Sequence, residues 1–353
     1  MAAASTKARL GQFYSARWRE LLVGLNVPKG MVIVEPFVGA GDLLNACHRE
    51  SEFELYDIDP QNTSTIRRDT IADPPRYSGK FVLTNPPYLA RNKSTDKKPY
   101  DRYGVNDLYK CFVSELTRQN AAAGGILVLP LNFWSGVRRA DVALRVAFLR
   151  KYDVVRLNIF EQQMFPDTTA AVCAFQFEAT TSTIPCTTRR IGVWYYPGGE
   201  SDTWSLQMGG MAMPGGSVYG AGTVGKEAGI TVERLTSTND NSENAAHTCN
   251  IVLHAVDGGH HDKRIRLEIV SPGGRVVDQN ARSCASFIIR PFVLSAEEQN
   301  DLCVKFNANL DCLRREYRSA FLPSFREFKR KRIPFRLAFK LVADLVANFR
   351  ESI

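Results

Sequence analysis

Between Met31 and Phe177, apolar runs of strand length alternate with segments whose apolar residues recur at helical spacing. That alternation restricts the chain to an α/β fold with a parallel sheet. The expected strands are Met31 to Glu35, Phe53 to Asp57, Lys80 to Thr84, Gly125 to Pro130, Val154 to Phe160 and Ala171 to Glu178. Helices are expected over Asp107 to Gln119 and Val137 to Lys151, where apolar residues return every three or four positions.

Near Thr180 the character changes. Thr, Ser, Gly and Pro become frequent, and short β-type runs (Ile191 to Tyr196, Asn250 to Ala255, Arg264 to Val270) stand between turn signals. The stretches Gly209 to Gly229 and Thr236 to Ala246 read as loops. Helical spacing returns from Ser295, with Arg326, Lys329, Arg330, Lys331 and Arg332 in a basic cluster and with Pro323 and Pro334 as helix dividers. The implied organisation is an α/β domain over residues 1–180, a β-rich domain over 181–294 and a basic helical segment over 295–353.

The chain's 353 residues, 44% of them apolar, are enough to bury a core in two domains, which excludes general disorder. Its 45 Lys and Arg against 37 Asp and Glu suit a polyanionic partner, although charge of this size is common and decides little alone. No apolar run is long enough for a leader or a membrane span, so an intracellular, soluble protein is expected. The eight cysteines are scattered without a CxxC pair and read as reduced; neither disulfides nor a metal site is expected. His260 and His261 lack companion ligands at metal-binding spacing and read as loop residues.

Three features carry chemistry. The first strand runs into Glu35-Pro36-Phe37-Val38-Gly39-Ala40-Gly41-Asp42, where glycines let the backbone approach a ligand and a strand-end carboxylate can accept from an amine or hydroxyl. Leu44 stands where the dinucleotide fingerprint requires Gly or Ala, which argues for a nucleoside over a pyrophosphate. Asp57 then ends the second strand, where such folds hold ribose hydroxyls, and Asp69 precedes the third.

The most specific feature is Asn85-Pro86-Pro87-Tyr88, directly after the strand Lys80 to Thr84. An adenine amine is a poor nucleophile because its lone pair is delocalised into the ring. Acceptors placed at its two hydrogens help the nitrogen become more sp3-like as a methyl group arrives. The Asn85 side-chain carbonyl and the proline-stiffened carbonyl of Pro86 suit that task, and Tyr88 offers a flat face for a base taken out of the helix.

With these motifs in this order, the chain resembles the gamma class of amino-methylating DNA methyltransferases, from Lys7 to about Glu178 and more loosely in its C-terminal helices. The resemblance implies a Rossmann-like methyltransferase mixed sheet, a C-terminal β-rich target-recognition domain and closing helices. It makes Gly11-Gln12-Phe13-Tyr14-Ser15 a cofactor-flanking motif, with Ser15 where the family usually has Thr and Ala16 where a proline commonly follows. It assigns Ser15, Glu35, Phe37, Gly39, Gly41, Asp57, Asp69 and Asn85 to S-adenosylmethionine, with Glu35 and the glycine turn on the methionine end, Asp57 on the ribose and Asp69 on adenine N6. Asp57 replaces a frequent Glu. Asp107-Leu108-Tyr109 resembles a further motif, or is a simple helix cap. In Phe160 to Thr168 the resemblance assigns Phe165 as the second aromatic wall, so that Asn85, Pro86, Pro87, Tyr88 and Phe165 form the reacting centre.

The expected function is sequence-specific N6-methylation of a flipped adenine in double-stranded DNA. The expected setting is a cytoplasmic monomer in restriction-modification, with a cognate restriction endonuclease as candidate partner. Arg91, Asn92, Lys93, Lys97, Lys98 and Arg102 are a basic loop suited to phosphates beside the flipped nucleotide. The alternatives are an N-methyltransferase acting on RNA adenine or a protein glutamine, whose amide poses the same chemical problem, and an inactive DNA-binding relative. The domain after the sheet favours DNA over protein as substrate, and the intact series Glu35, Asp57, Asp69 and Asn85 argues against an inactive relative.

Overall fold

Runs rich in Val, Ile, Leu and Phe become the centre of the sheet, because only there are both faces of a strand covered. The computed structural model describes residues 11–119, 122–166, 170–181, 186–258, 264–322 and 331–351. It divides into two compact units, Met1–Pro214 and Gly215–Ile353.

The first unit holds β1 (Ile33–Glu35), β2 (Phe53–Asp57), β3 (Ile66–Arg67), β4 (Phe81–Thr84), β5 (Gly124–Pro130), β6 (Tyr152–Phe160), β7 (Val172–Ala179), β8 (Thr188–Tyr196) and β9 (Glu200–Gln207). They form one nine-stranded sheet in the order β3-β2-β1-β4-β5-β7-β6-β8-β9. The strands β1 to β5 pair in parallel, while β7 runs antiparallel between β5 and β6. This is the Rossmann-like mixed sheet expected. Every residue of β4 and β5 is buried. On one face lie Leu21, Leu22, Leu25, Met164 and Phe165. Another part of the core is an aromatic block in which Phe133, Phe148 and Trp134 pack on Phe175 and in which Phe148 and Tyr152 meet Phe177. Each such side chain contributes about 1.5–3 kcal/mol when fully buried.

Two sequence expectations change. The sheet does not stop near residue 180. β8 pairs in parallel with β6, β9 pairs antiparallel with β8, and the division between units falls at Pro214 and Gly215. The exposed residues of β9, Glu200 to Thr203 among them, are polar because they lie on an edge strand. Nor is Gly209 to Pro214 simply a loose loop. The guanidinium of Arg145, fully buried, donates to the carbonyls of Met211 and Ala212 as well as to those of Phe133 and Gly136.

The second unit contains β10 (Thr231–Arg234), β11 (Ile251–His254), β12 (Arg266–Ile269), β13 (Cys284–Ala285) and β14 (Phe287–Arg290). β10 pairs with β14, and β11 lies between β12 and β13. The helix Ala296–Tyr317 opens with a capping box in which Ser295 and Glu298 satisfy each other's backbone N–H. The expected separate helical segment is therefore part of this unit. Leu302, Phe306 and Leu310 from that helix and Val342 and Val346 from Phe335–Glu351 share a core with Ile251, Leu253, Leu267 and Phe287. Lys331, one cation of the basic cluster, is buried and donates to the carbonyl of Ser319. His260, His261, Pro323, Arg326, Lys329 and Arg330 lie outside the described residues. No described helix is long and apolar enough to cross a membrane.

Candidate active site

β1, β2 and β4 end on one edge of the sheet in Glu35, Asp57 and Thr84, and the segments that follow them surround a cavity of about 290 Å3. Among the lining residues are Ser15, Phe37, Gly39, Asp42, Asp57, Ile58, Asp69, Asn85, Pro87 and Leu108. The acids Asp42, Asp57, Asp69 and Asp96 face a single cation, Arg68, in that lining. Such a wall attracts a cationic ligand and repels phosphates.

Asp57 and Asp69 are held in place by the backbone. Asp57 accepts from the amides of Gly39 and Asp59, at 2.8 Å each, which ties the glycine turn to the end of β2. Each of its oxygens keeps a further lone pair for a ligand hydroxyl. Asp69 receives the amides of Ile71 and Ala72 on one oxygen, 3.1 Å from each. Gly39 has φ +55°, and a Cβ there would lie 3.2 Å from the ring of Tyr14, so a side chain would collide with the cavity wall. Glu35 is 1% exposed and lies outside the lining; Thr84 and the Phe37 amide donate to its Oε1, and its Oε2 is buried without a partner. Burial pushes its carboxyl well above the usual range, against the lowering effect of those two bonds. Gly41 has φ +81°, lies outside the lining and shapes the turn.

At the mouth of the cavity, Asn85 donates through Nδ2 to the Phe13 carbonyl (2.8 Å) and to Ser15 Oγ (3.2 Å). Its Oδ1 accepts from the Tyr88 hydroxyl, which also lies 2.9 Å from the Val128 carbonyl on β5. Among the described residues no donor reaches the Pro86 carbonyl. The close approach of the N-terminal segment depends on Gly11: its carbonyl accepts from the Tyr88 amide at 2.9 Å, its φ is +70°, and a Cβ there would lie 2.8 Å from the Tyr88 carbonyl oxygen. Desolvation raises the Tyr88 hydroxyl well above its ordinary pKa, so it stays a donor.

Tyr88 and Phe165 do not face each other across an open slot. Phe13 stacks on Tyr88 at 5.1 Å and 28° and meets Phe165 at 5.9 Å, while Tyr88 and Phe165 are 6.3 Å apart with planes at 65°. Phe165 is 2% exposed. Below this group, Asp107 Oδ1 and the Tyr109 hydroxyl are buried without partners, and burial raises the Asp107 carboxyl to about 6. Asp107 makes no side-chain cap to the helix Leu108–Arg118 that it precedes.

The basic loop after Tyr88 also differs from expectation. Lys97 donates to the carbonyls of Arg91 and Ser94, Arg91 pairs with Asp101, and Arg102 reaches the Ala72 carbonyl. Those three cations fasten the loop, whose Ser94, Thr95, Asp96 and Pro99 line the cavity; Asn92, Lys93 and Lys98 remain exposed. Sequence reasoning included Tyr14 and Asp42 in its cofactor segments without giving either a role, and it missed Ile58 and this loop as parts of the lining. Ile58 was the most readable of them, as an apolar residue directly after the strand-end acid that stays 41% exposed.

No protein-family model matches the sequence, and no curated protein matches it. Among solved structures the chain is similar to the type IIG restriction endonuclease BpuSI (12% identity, TM-score 0.41, 66% of this chain and 36% of that one). It is also similar to a type I restriction-modification system methyltransferase subunit from Streptococcus thermophilus (16%, 0.37, 52% and 47%). A third is the type I restriction enzyme EcoKI M protein (13%, 0.38, 55% and 50%). The chain spans half or less of each of those proteins. At such identities and scores the functional reading rests on the site's own residues.

Proposed function

We propose that the protein is an S-adenosylmethionine-dependent methyltransferase that acts on the exocyclic N6 of adenine at a defined sequence in duplex DNA. The observation that carries this reading is the Asn85 amide, pinned through its nitrogen at the end of β4 with its oxygen turned to the Tyr88 hydroxyl, beside a cavity lined by four aspartates.

The lining fits the cofactor chemically. Asp42, Asp57 and Asp69 supply acceptors for an amine and for hydroxyls, and Phe37, Ile58 and Leu108 supply apolar faces for a purine; outside the lining, Glu35 keeps one buried carboxyl oxygen without a partner. When bound, S-adenosylmethionine brings a methyl group already activated on a sulfonium, so no metal is required for the transfer. Asn85 Oδ1 and the Pro86 carbonyl then accept from the two N6 hydrogens and draw electron density onto the attacking nitrogen. A target base arriving at Asn85 takes over the acceptor now used by Tyr88 and the ring face now covered by Phe13. Base extrusion costs a few kcal/mol, which those contacts help to offset. The second unit and the exposed Lys93 and Lys98 are the assigned source of DNA contacts.

The test is to incubate the full chain with methyl-labelled S-adenosylmethionine and, in parallel, duplex DNA, RNA and a glutamine-bearing protein. Label in N6-methyl-deoxyadenosine is expected. Label confined to RNA or protein would replace the proposed substrate, and no label anywhere would remove the reading.

A further inference from the structure

An asparagine side chain has two nearly isosteric ends with opposite hydrogen-bonding character. For the role given to Asn85 only one orientation works. With the oxygen toward the substrate, N6 hydrogens find an acceptor; after a flip they would meet two N–H donors. Something in the protein must therefore choose the orientation, and the Asn85 backbone does not.

The neighbours on the nitrogen side make the choice. The Phe13 main-chain carbonyl is an acceptor only, 2.8 Å from Nδ2. It would oppose the amide oxygen lone pair against lone pair if the side chain turned over. Ser15 Oγ accepts from the same nitrogen at 3.2 Å, and Ser15 is only 5% exposed, so water does not readily take its place. On the oxygen side, the Tyr88 hydroxyl donates. Both acceptors come from the segment that Gly11 brings against the Tyr88 backbone, which fixes the register between that segment and the catalytic turn.

We propose that Ser15, together with the Phe13 carbonyl, is a positioning residue that locks the Asn85 amide with its carbonyl toward the substrate. This assignment rests on the methyltransferase reading for its catalytic consequence, and it gives Ser15 a task different from cofactor binding.

The test compares Ser15→Ala and Ser15→Thr with the wild-type chain by three measurements: kcat and KM for methyl transfer to genomic DNA, the Kd of S-adenosylmethionine by calorimetry, and hydrogen exchange of the Asn85 side-chain amide. The last uses 15N-asparagine NMR, with Asn85→Ala to assign the signal. Ser15→Ala is expected to lower kcat about three- to tenfold, the worth of one buried hydrogen bond, with Kd and KM within about twofold. It is also expected to speed Asn85 amide exchange, and Ser15→Thr should restore both. A raised Kd with unchanged kcat would overturn the proposal and return Ser15 to the cofactor. Unchanged amide exchange in Ser15→Ala would overturn it as well. If the wild-type chain transfers no methyl group to DNA while amide exchange still responds to Ser15→Ala and recovers in Ser15→Thr, the substrate reading fails and the positioning stands.

Discussion

Two neighbouring sites in the first unit are prepared in opposite ways. The cavity proposed for the cofactor is open, its Asp57 and Asp69 are held by backbone amides, and the buried Glu35 Oε2 outside its lining has no partner. The base site is closed: Phe13 lies on Tyr88, and the Tyr88 hydroxyl already occupies the acceptor of Asn85. Under the proposed function, the contrast means that the first ligand binds a preformed surface while the second displaces the protein's own contacts, so that binding energy from the DNA would open its own site.

The contrast breaks most visibly at Asn85. Asn85→Ala removes the acceptor that the target amine is proposed to take over from Tyr88, and methyl transfer should fall by about 100- to 1000-fold, as when one oxyanion-hole donor is lost. A residual rate within tenfold of wild type, measured as labelled methyl incorporation, would show that the acceptor is not used.

Glu35→Gln sharpens the open side. Burial raises the Glu35 carboxyl well above its unfolded value, so the folded state binds more protons in that window and stability falls as pH rises through it. The glutamine variant escapes this loss; its melting temperature should exceed that of the wild type at neutral pH, and the gap should close toward acid pH. It should also bind S-adenosylmethionine about tenfold more weakly, the scale of one lost buried hydrogen bond. Higher stability with unchanged affinity would mark Glu35 as a purely internal group.

Phe13→Ala tests the closed side. Stacking of a base on an aromatic ring is worth about 1–3 kcal/mol, and with no resident ring to displace, adenine should bind about tenfold more tightly. Calorimetry in saturating S-adenosylhomocysteine keeps the cofactor cavity out of the measurement. Weaker binding would make Phe13 a support of Tyr88 instead of its occupant.

The smallest effect is expected from Lys97→Met. Loosening the loop over the cavity should weaken cofactor affinity a few-fold and leave the salt dependence of DNA binding unchanged. Had Lys97 been a phosphate contact, as its sequence context suggests, the slope of log affinity against log salt would shrink by about one.

These cases mark what the sequence made legible. The strands β1, β2, β4 and β5 were readable because continuous apolar runs and strand-end acids are local signals, and the observed bounds fall within two residues of those expected. β8 was read into a second domain and β9 was not read at all, because the Thr- and Ser-rich stretch before β8 and the polar residues of the edge strand β9 otherwise announce a new domain. Asn85 and the acid series were visible as motifs. The roles of Phe13 and Ser15 were not, since the segment meets Asn85 across about seventy residues of chain and no spacing rule reports such a contact. The basic loop misled for a related reason: a sequence names its cations but not the carbonyls that capture them, as with Lys97.

The central claim is most directly tested by treating unmethylated genomic DNA with the full chain and S-adenosylmethionine and mapping N6-methyladenine by sequencing. The account predicts modification concentrated at one short sequence motif and absent when Asn85→Ala replaces the wild type. Unmodified adenine throughout, with the wild-type chain folded and its cofactor bound, would contradict it.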